Sequence, residues 1–450
     1  MHYFLVLNIF LANLALVLAK PAGSFNVTVT FAEANGCDHT CQKILDQTNA
    51  FDRTEVGDDF DFDFYATAGN FTGSKPGDLL KLQALDPSTL NVRAGTTVFR
   101  LQYTSLDLDG ETLVPATGFI AFPYTPLGHS KTYHTVAFAH GTIGLYPGCA
   151  PSNGPTLYDY DSWQLLTERG YAVVATDYAG LGNNHTSHKY CSFPAHVNDV
   201  YYSIIAAQRA FGSVLSREWM GSLVVRNDVR HPYLGTVALA PATHIVDMFY
   251  DGLVTMATRN GTDGLSVVGY TPYLALAYQR VYTSYNLTIL GPRLRQRMNM
   301  ANEAQLCTTA FMGLTLDLDD EQLISTEGVK NDRPLFDEWQ REVSPTSGGR
   351  TPAPVLVLQG LNDTTIMPDA TKQAYQRSCK AEGNEVHLSL YPGADHVPLV
   401  AAAAPEWLAW MDARFAGLPT PGRCSSEVRR PFNDGANIKL PPDFDLSDLE

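Results

Sequence analysis

Two stretches near the C-terminus carry an acid and a base from which a hydroxyl could be activated. Pro354-Val355-Leu356-Val357-Leu358 is an apolar run that reads as a buried strand, and Gln359-Gly360-Leu361-Asn362-Asp363 carries it into a loop ending in a carboxylate. Leu388-Ser389-Leu390-Tyr391 reads as another strand, Pro392-Gly393 as a turn, and His396 follows Ala394-Asp395. Rigid strand ends can aim a carboxylate at an imidazole. Taken singly, Asp363 is an ordinary turn residue and His396 an ordinary surface or core histidine. Together, in this order and with a helix pattern between them over 369–379, they read as the acid and base of a nucleophilic triad.

The nucleophile that should precede them is missing. A catalytic serine on a tight strand-to-helix turn needs Gly-x-Ser-x-Gly, and no pentapeptide of this chain has that form. Gly264-Leu265-Ser266-Val267-Val268-Gly269 is one residue too long, and Ser266 lies outside the core strands. Ser130, in Gly128-His129-Ser130-Lys131, precedes a strand pattern instead of following one. Ser222, in Gly221-Ser222-Leu223-Val224-Val225, has no strand pattern before it and no glycine at the elbow position. Ser222 is the candidate least excluded.

The elements that must position these groups alternate along the chain. Thr97 to Tyr103 and Gly118 to Phe122 read as an antiparallel hairpin. Thr135-Val136-Ala137-Phe138-Ala139 is a buried strand entering His140-Gly141-Thr142. Residues 163–169 read as a helix, 171–176 as a strand ending at Asp177, 197–210 as a long amphipathic helix and 235–240 as a short strand. Such alternation predicts an α/β fold with a mainly parallel sheet and helices on both faces. Ligands then bind beyond the carboxyl ends of the strands, where His140, Asp177, Asp363 and His396 all fall. Backbone N–H groups of His140-Gly141-Thr142 and Asp177-Tyr178-Ala179-Gly180 are oxyanion-hole candidates, although Gly141 and Gly180 also suit plain turns.

The expected organisation is a signal peptide at 1–19, an N-terminal extension at 20–75, the first part of the core at 76–243, an inserted lid or cap at 244–345, the second part of the core at 346–418 and an acidic tail at 419–450. The leader reading rests on the apolar run from Tyr3 to Ala19, with the small-x-small site Val17-Leu18-Ala19 before Lys20. The cap reading rests on a long insertion between core strands, with helix-like stretches at 292–314 and 319–325. Five prolines and the acidic end predict an extended or disordered tail. The run Asp58-Asp59-Phe60-Asp61-Phe62-Asp63 lacks a Gly-turned loop and a closing Glu, so it reads as a loop or edge segment and not as a calcium site.

A hydrophobic content of 45% with 17% charged residues is that of a globular chain. A net charge of −16 argues against a nucleic-acid partner, which would want a basic face. Six Asn-x-Ser/Thr triplets, at Asn26, Asn70, Asn184, Asn260, Asn286 and Asn362, suit a secreted glycoprotein. Seven cysteines in a secreted chain should mostly pair, leaving at least one over. Zinc-type spacing is absent.

In combination, Ala139-His140-Gly141-Thr142, Cys149-Ala150-Pro151-Ser152, Asp177-Tyr178-Ala179-Gly180, Leu234-Gly235-Thr236-Val237, the Asp363 loop and the His396 turn resemble the fungal secretory lipases. These lipase A-like α/β-hydrolases carry a helical lid and cleave triacylglycerols and other carboxylic esters. The resemblance runs from about Pro76 to Cys424. It implies Asp363 as triad acid, His396 as base and the Asp177 backbone N–H as an oxyanion donor. It also implies the disulfides Cys149–Cys307 and Cys379–Cys424, with Cys37, Cys41 and Cys191 left over.

No cofactor and no metal is implied. The expected partner is a lipid or ester, with room for contact at a lipid–water interface and no transmembrane segment after processing. The family places a strand, the elbow and a helix between segments like Ser216-Arg217-Glu218-Trp219 and Tyr233-Leu234-Gly235-Thr236. Here only Met220 to Pro232 lies between, too little for all three. The central strand therefore reads as deleted, by a missing exon more simply than by gradual decay. Two readings follow: a secreted triacylglycerol-lipase-type ester hydrolase whose sequence here lacks its nucleophile, or a non-catalytic hydrolase-fold protein that binds a lipid or a partner.

Overall fold

The computed structural model describes residues 27–432 except 129, 161, 222–231, 259–264 and 346–348. Among these residues ten strands form one sheet: β1 (Leu79–Ala84), β2 (Thr97–Leu106), β3 (Leu113–Phe122), β4 (Tyr133–Ala139), β5 (Ala172–Thr176), β6 (Leu215–Gly221), β7 (Tyr233–Leu239), β8 (Val355–Gly360), β9 (Val386–Tyr391) and β10 (Ser425–Val428). Their order is β1-β2-β3-β5-β4-β6-β7-β8-β9-β10. β1 to β3 form an antiparallel meander joined to β5, and β4 to β10 run parallel. Alternate residues feed opposite faces, as the pleat requires. Val136, Phe138 and Val173 join Trp163, Trp407 and Met411 in one core cluster. Ala137, Ala172 and Val174 join Ile204 and Ala207 of the helix Phe193–Phe211 in another. Burial on both faces is why β5 and β8 read as unbroken apolar runs.

The chain leaves β4 for β5 on one side and later returns to β6 on the other. That reversal opens a crevice at the carboxyl ends of β4 and β6.

β6 corrects the expected deletion of the central strand. The slot between β4 and β7 is filled, and it is filled by the very segment read as a flank, Leu215–Gly221. The fit is irregular. Tyr133 pairs with Leu215 and Thr135 with Trp219, so two residues of β4 face four of β6. Arg217 and Glu218 are exposed there, while Trp219 and Met220 are fully buried. Two charged residues cannot lie inside a sheet covered on both faces, so they loop out and the chain resumes pairing at Trp219. The Trp219 indole N–H is buried without a hydrogen-bond partner among the described residues. A sheet with an empty central slot would expose two strand edges, which is the physical reason the flank is drawn in.

Between β7 and β8 the described residues form six helices: Ile245–Thr258, Leu265–Val281, Pro292–Ala304, Thr308–Gly313, Asp320–Leu323 and Thr326–Glu342. The predicted continuous stretch 292–314 is two helices, because Gln305 adopts a left-handed conformation (φ 53°) and Cys307 starts the next. These helices share a core with His39–Val56, an 18-residue helix that the polar composition of 20–75 concealed. Asp38 caps it, and Ile44, Leu45, Thr48, Asp52 and Val56 form its buried stripe. Asp52 accepts from Thr309 N (2.9 Å) and Ala310 N (2.8 Å), so one helix caps the other.

Three disulfides are present: Cys37–Cys41, Cys149–Cys307 and Cys379–Cys424. Cys37 and Cys41 are therefore not left over. Cys191 is a buried free thiol, its pKa pushed up to about 12 by burial. Within the tail expected to be extended or disordered, residues 425–428 are an ordered parallel edge strand beside β9. The leader (1–19) and residues 433–450 lie outside the described residues.

Candidate active site

Asp363 and His396 meet. They lie three and five residues past the paired strand ends Gly360 and Tyr391, and Asp363 Oδ2 is 2.9 Å from His396 Nδ1. The Asp363 side chain is wholly buried and that of His396 is 34% exposed. The carboxylate is fixed from three further sides. Its Oδ1 accepts from Thr365 N (2.9 Å) and Ile366 N (2.7 Å), and its Oδ2 from Gln359 Nε2 (3.1 Å). Because a carboxylate only accepts, the ring proton sits on Nδ1. Nε2 then presents a lone pair, with no partner among the described residues. That is the form of a general base waiting for a hydroxyl.

The two loops are zipped together. Leu361 N donates to Tyr391 O, Asn362 N to Ala394 O, Thr364 N to Asp395 Oδ1 and Gly393 N to Asn362 Oδ1. Gly360 is needed for the approach, since a Cβ there would lie 2.3 Å from Ala394 O. Gln359 was not singled out from the sequence. The available signal was an amide at the end of an apolar strand, where it must be bonded; its Oε1 accepts from Thr371 at 2.6 Å.

His140 and Asp177 directly follow β4 and β5 at the crevice. Asp177 is fully buried, and its side chain is a structural hub. Oδ1 accepts from Ser152 N (2.8 Å), and Oδ2 from Ser152 Oγ (2.5 Å) and Thr117 Oγ1 (2.7 Å). The implied oxyanion role of its backbone N–H needs correction for this state. That N–H donates to Thr117 O at 2.7 Å, extending the β3–β5 ladder, and is not offered to the crevice. Tyr178 N and Ala179 N are also committed, to Thr176 Oγ1 and Asp199 Oδ2, both at 2.9 Å. Gly141 N donates to the Tyr160 hydroxyl at 2.9 Å. Asp177→Ala is expected to cost about 3 kcal/mol, because the buried Ser152 and Thr117 donors lose their acceptor. Asp177→Asn should cost much less, and urea unfolding of both variants checks it.

Beneath the crevice His140, His188, His196 and Tyr178 pack ring against ring, with His188 and His196 parallel within 3°. Burial holds all three imidazoles neutral: His140 falls to about 4, His196 to about 3, and His188 well below its ordinary value. A lowered folded pKa means that the unfolded chain binds the proton first. The contribution is therefore intact above about pH 6.5 and lost as pH falls toward the folded pKa. Burial raises Asp177 and Asp199, the latter to about 7, and these act in the opposite sense. The readout is therefore a difference. Wild type should exceed His196→Gln in stability at pH 7, with the gap narrowing by roughly 3 kcal/mol at pH 4. A gap constant with pH would rule this out.

Ser130 is far from any such role, its hydroxyl donating to Thr132 O at 2.7 Å just before β4. Ser266 falls within the helix Leu265–Val281, in the insertion. Ser222 lies outside the described residues, but the expectation that no strand precedes it is corrected by β6. β6 ends at Gly221, level with Ala137 of β4. That is three residues, about 10 Å, short of His140 where the crevice opens.

No family model matches the sequence. Lipase 10 of Candida albicans is 22% identical over 405 residues, which cover 81% of this chain and 83% of that one. Lipase A of Candida antarctica in its closed state matches with a TM-score of 0.64 at 15% identity, over 85% of this chain and 92% of that one. The chain is similar to these fungal lipases in sequence and in fold. The lipase A-like sheet order, with its central parallel strands and helical insertion, is the α/β-hydrolase fold. The rice cell wall degrading esterase LipA of Xanthomonas oryzae shares it, with a TM-score of 0.57 at 17% identity over 76% of this chain and 98% of that one.

Proposed function

We propose that this lipase A-like chain is a secreted carboxylic-ester hydrolase of triacylglycerol-lipase type, serving lipid catabolism, and that the form with this sequence lacks its nucleophile. The observation that carries the hydrolase reading is the Asp363–His396 pair, buried acid to partly exposed base at 2.9 Å, with Nε2 free of any partner among the described residues. The missing nucleophile is supported by β6. Its bulged, shortened pairing and the 11 residues from 222 to 232 leave no length for an elbow and a helix before the parallel strand β7. The helices of 245–342 serve as a cap over the strand ends. With the slot closed by Trp219 and Met220, the same observation favours a second reading for this form, a hydrolase-fold binder of lipid without turnover.

The test is turnover of a triacylglycerol emulsion by this chain, by Ser222→Ala and by His396→Ala. All three are expected to be equally near background. Turnover by this chain that Ser222→Ala stops would show Ser222 to be the nucleophile and overturn the reading. Secretion rests on the apolar leader and the sequons. N-terminal sequencing of protein from culture medium should begin at or near Lys20; retention in the cell with Met1 intact would contradict it.

A further inference from the structure

A second serine, histidine and carboxylate stand in line at the amino ends of β9 and β10, on the opposite side of the sheet's length from His396. Ser425 opens β10 directly beside His387 of β9. Ser425 Oγ is 2.7 Å from His387 Nδ1, and His387 Nε2 is 2.9 Å from Glu385 Oε1. Glu385 is held in turn, its Oε1 accepting from Gly422 N (2.9 Å) and its Oε2 from the Thr420 hydroxyl (2.7 Å). Burial works against this carboxylate. The hydrogen bonds from Thr420, Gly422 and His387 outweigh burial and hold its pKa below the ordinary value. An ionised carboxylate accepts only, so His387 carries its proton on Nε2 and turns the Nδ1 lone pair to the Ser425 hydroxyl. The ring is turned over relative to the usual triad, but the division into nucleophile, base and orienting acid is the same.

His387 and Ser425 face an open cleft of about 700 Å³ between the β9–β10 face and the helix Ala404–Phe415. Trp410, Pro405 and Arg414 line its other wall. The Arg414 guanidinium lies over the Trp410 ring at 5.5 Å, and its Nε is buried with no partner among the described residues. The Cys379–Cys424 bond anchors the residue before Ser425, so the exposed hydroxyl is placed without depending on His387.

We propose that Ser425, His387 and Glu385 form a second nucleophile site, which takes small soluble esters of short carboxylic acids. Ser425 Oγ attacks the acyl carbon as its proton passes to His387 Nδ1. The alcohol leaves with that proton, and a water deprotonated by Nδ1 then releases the acid and restores Ser425. Arg414 is the cationic donor in the cleft for the charge that develops on the carbonyl oxygen. The size of the cleft suits a small molecule.

The full chain is treated with a fluorophosphonate, which reacts when a serine oxygen bonds to phosphorus and fluoride leaves. Peptide mapping is expected to place the adduct on Ser425. Ser425→Ala should remove it, His387→Gln should slow it by about 10²-fold or more, and His396→Ala should leave it unchanged. An intact Cys379–Cys424 bond in each variant reports a folded edge. Where His387→Gln fails that check, Glu385→Gln takes its place with slowing expected in the same direction. No adduct on Ser425, or one formed as fast in these variants as in wild type, overturns the proposal. The ester-hydrolase reading above fails on different residues, Ser222 and His396, so the two outcomes are separable.

Discussion

Restoring a family-type strand, Gly-x-Ser-x-Gly elbow and helix after Met220 should turn a nearly inert chain into a triacylglycerol hydrolase. On the proposed reading the acid and base are already placed, with Asp363 held by four hydrogen bonds and His396 Nε2 without a partner among the described residues. On the same reading, what this form lacks is the oxygen that forms the acyl-enzyme. In a triad that acts as a unit, loss of the nucleophile costs on the order of 10⁶ in kcat, so the restored form should exceed this chain by at least about 10³-fold even with an imperfect elbow. His396→Ala in the restored form should return it to background. An unchanged rate after restoration would mean that the Asp363–His396 pair is not a working base. The insertion should also release Leu215–Gly221 from the central slot and return Arg217 and Glu218 to a loop.

Replacing Cys149 and Cys307 together by serine should be the most damaging change to stability. The bond joins residues 158 apart, from the loop after His140 to the start of the helix Thr308–Gly313. A loop of that length corresponds to about 5 kcal/mol in the chain-entropy account. The same junction is held by Thr308 N to Ile143 O (2.9 Å) and by the Gly144–Cys307 bridge, which should keep the folded form recognisable. Urea unfolding should show the loss. The shorter Cys379–Cys424 loop of 45 residues should cost less when opened, about 4 kcal/mol. A loss at Cys149–Cys307 below that at Cys379–Cys424 would show that the insertion is held by packing alone.

The core strands were legible because burial on both faces leaves apolar runs between turn residues. The runs read at 135–139, 171–176 and 235–240 correspond to β4, β5 and β7 within two residues at each end. The helix read over 369–379 is Pro368–Ser378. Elements whose stability comes from neighbours were not legible. β10 is fully exposed, Ser-Ser-Glu-Val, and exists because β9 and the Cys379–Cys424 bond hold it. β6 contains Arg217 and Glu218, which no strand pattern admits, and it forms because the sheet needs a strand there. His39–Val56 had a cap and a stripe, but a polar average hid them. At the site, chain order made Asp363 and His396 legible. The Asp177 N–H was misread because its Thr117 O partner is 60 residues away, on a strand that sequence order does not place beside it.

On the proposed reading, acid and base are in place and the nucleophile segment has been lost between Met220 and Gly221. The most direct measurement is the genomic DNA between those two codons, read together with full-length transcripts. An intervening stretch that encodes, in frame, a strand, Gly-x-Ser-x-Gly and a helix, retained in some transcripts, is the expected result. Contiguous codons for Met220 and Gly221 with nothing between them would contradict the account and leave the binder reading in its place.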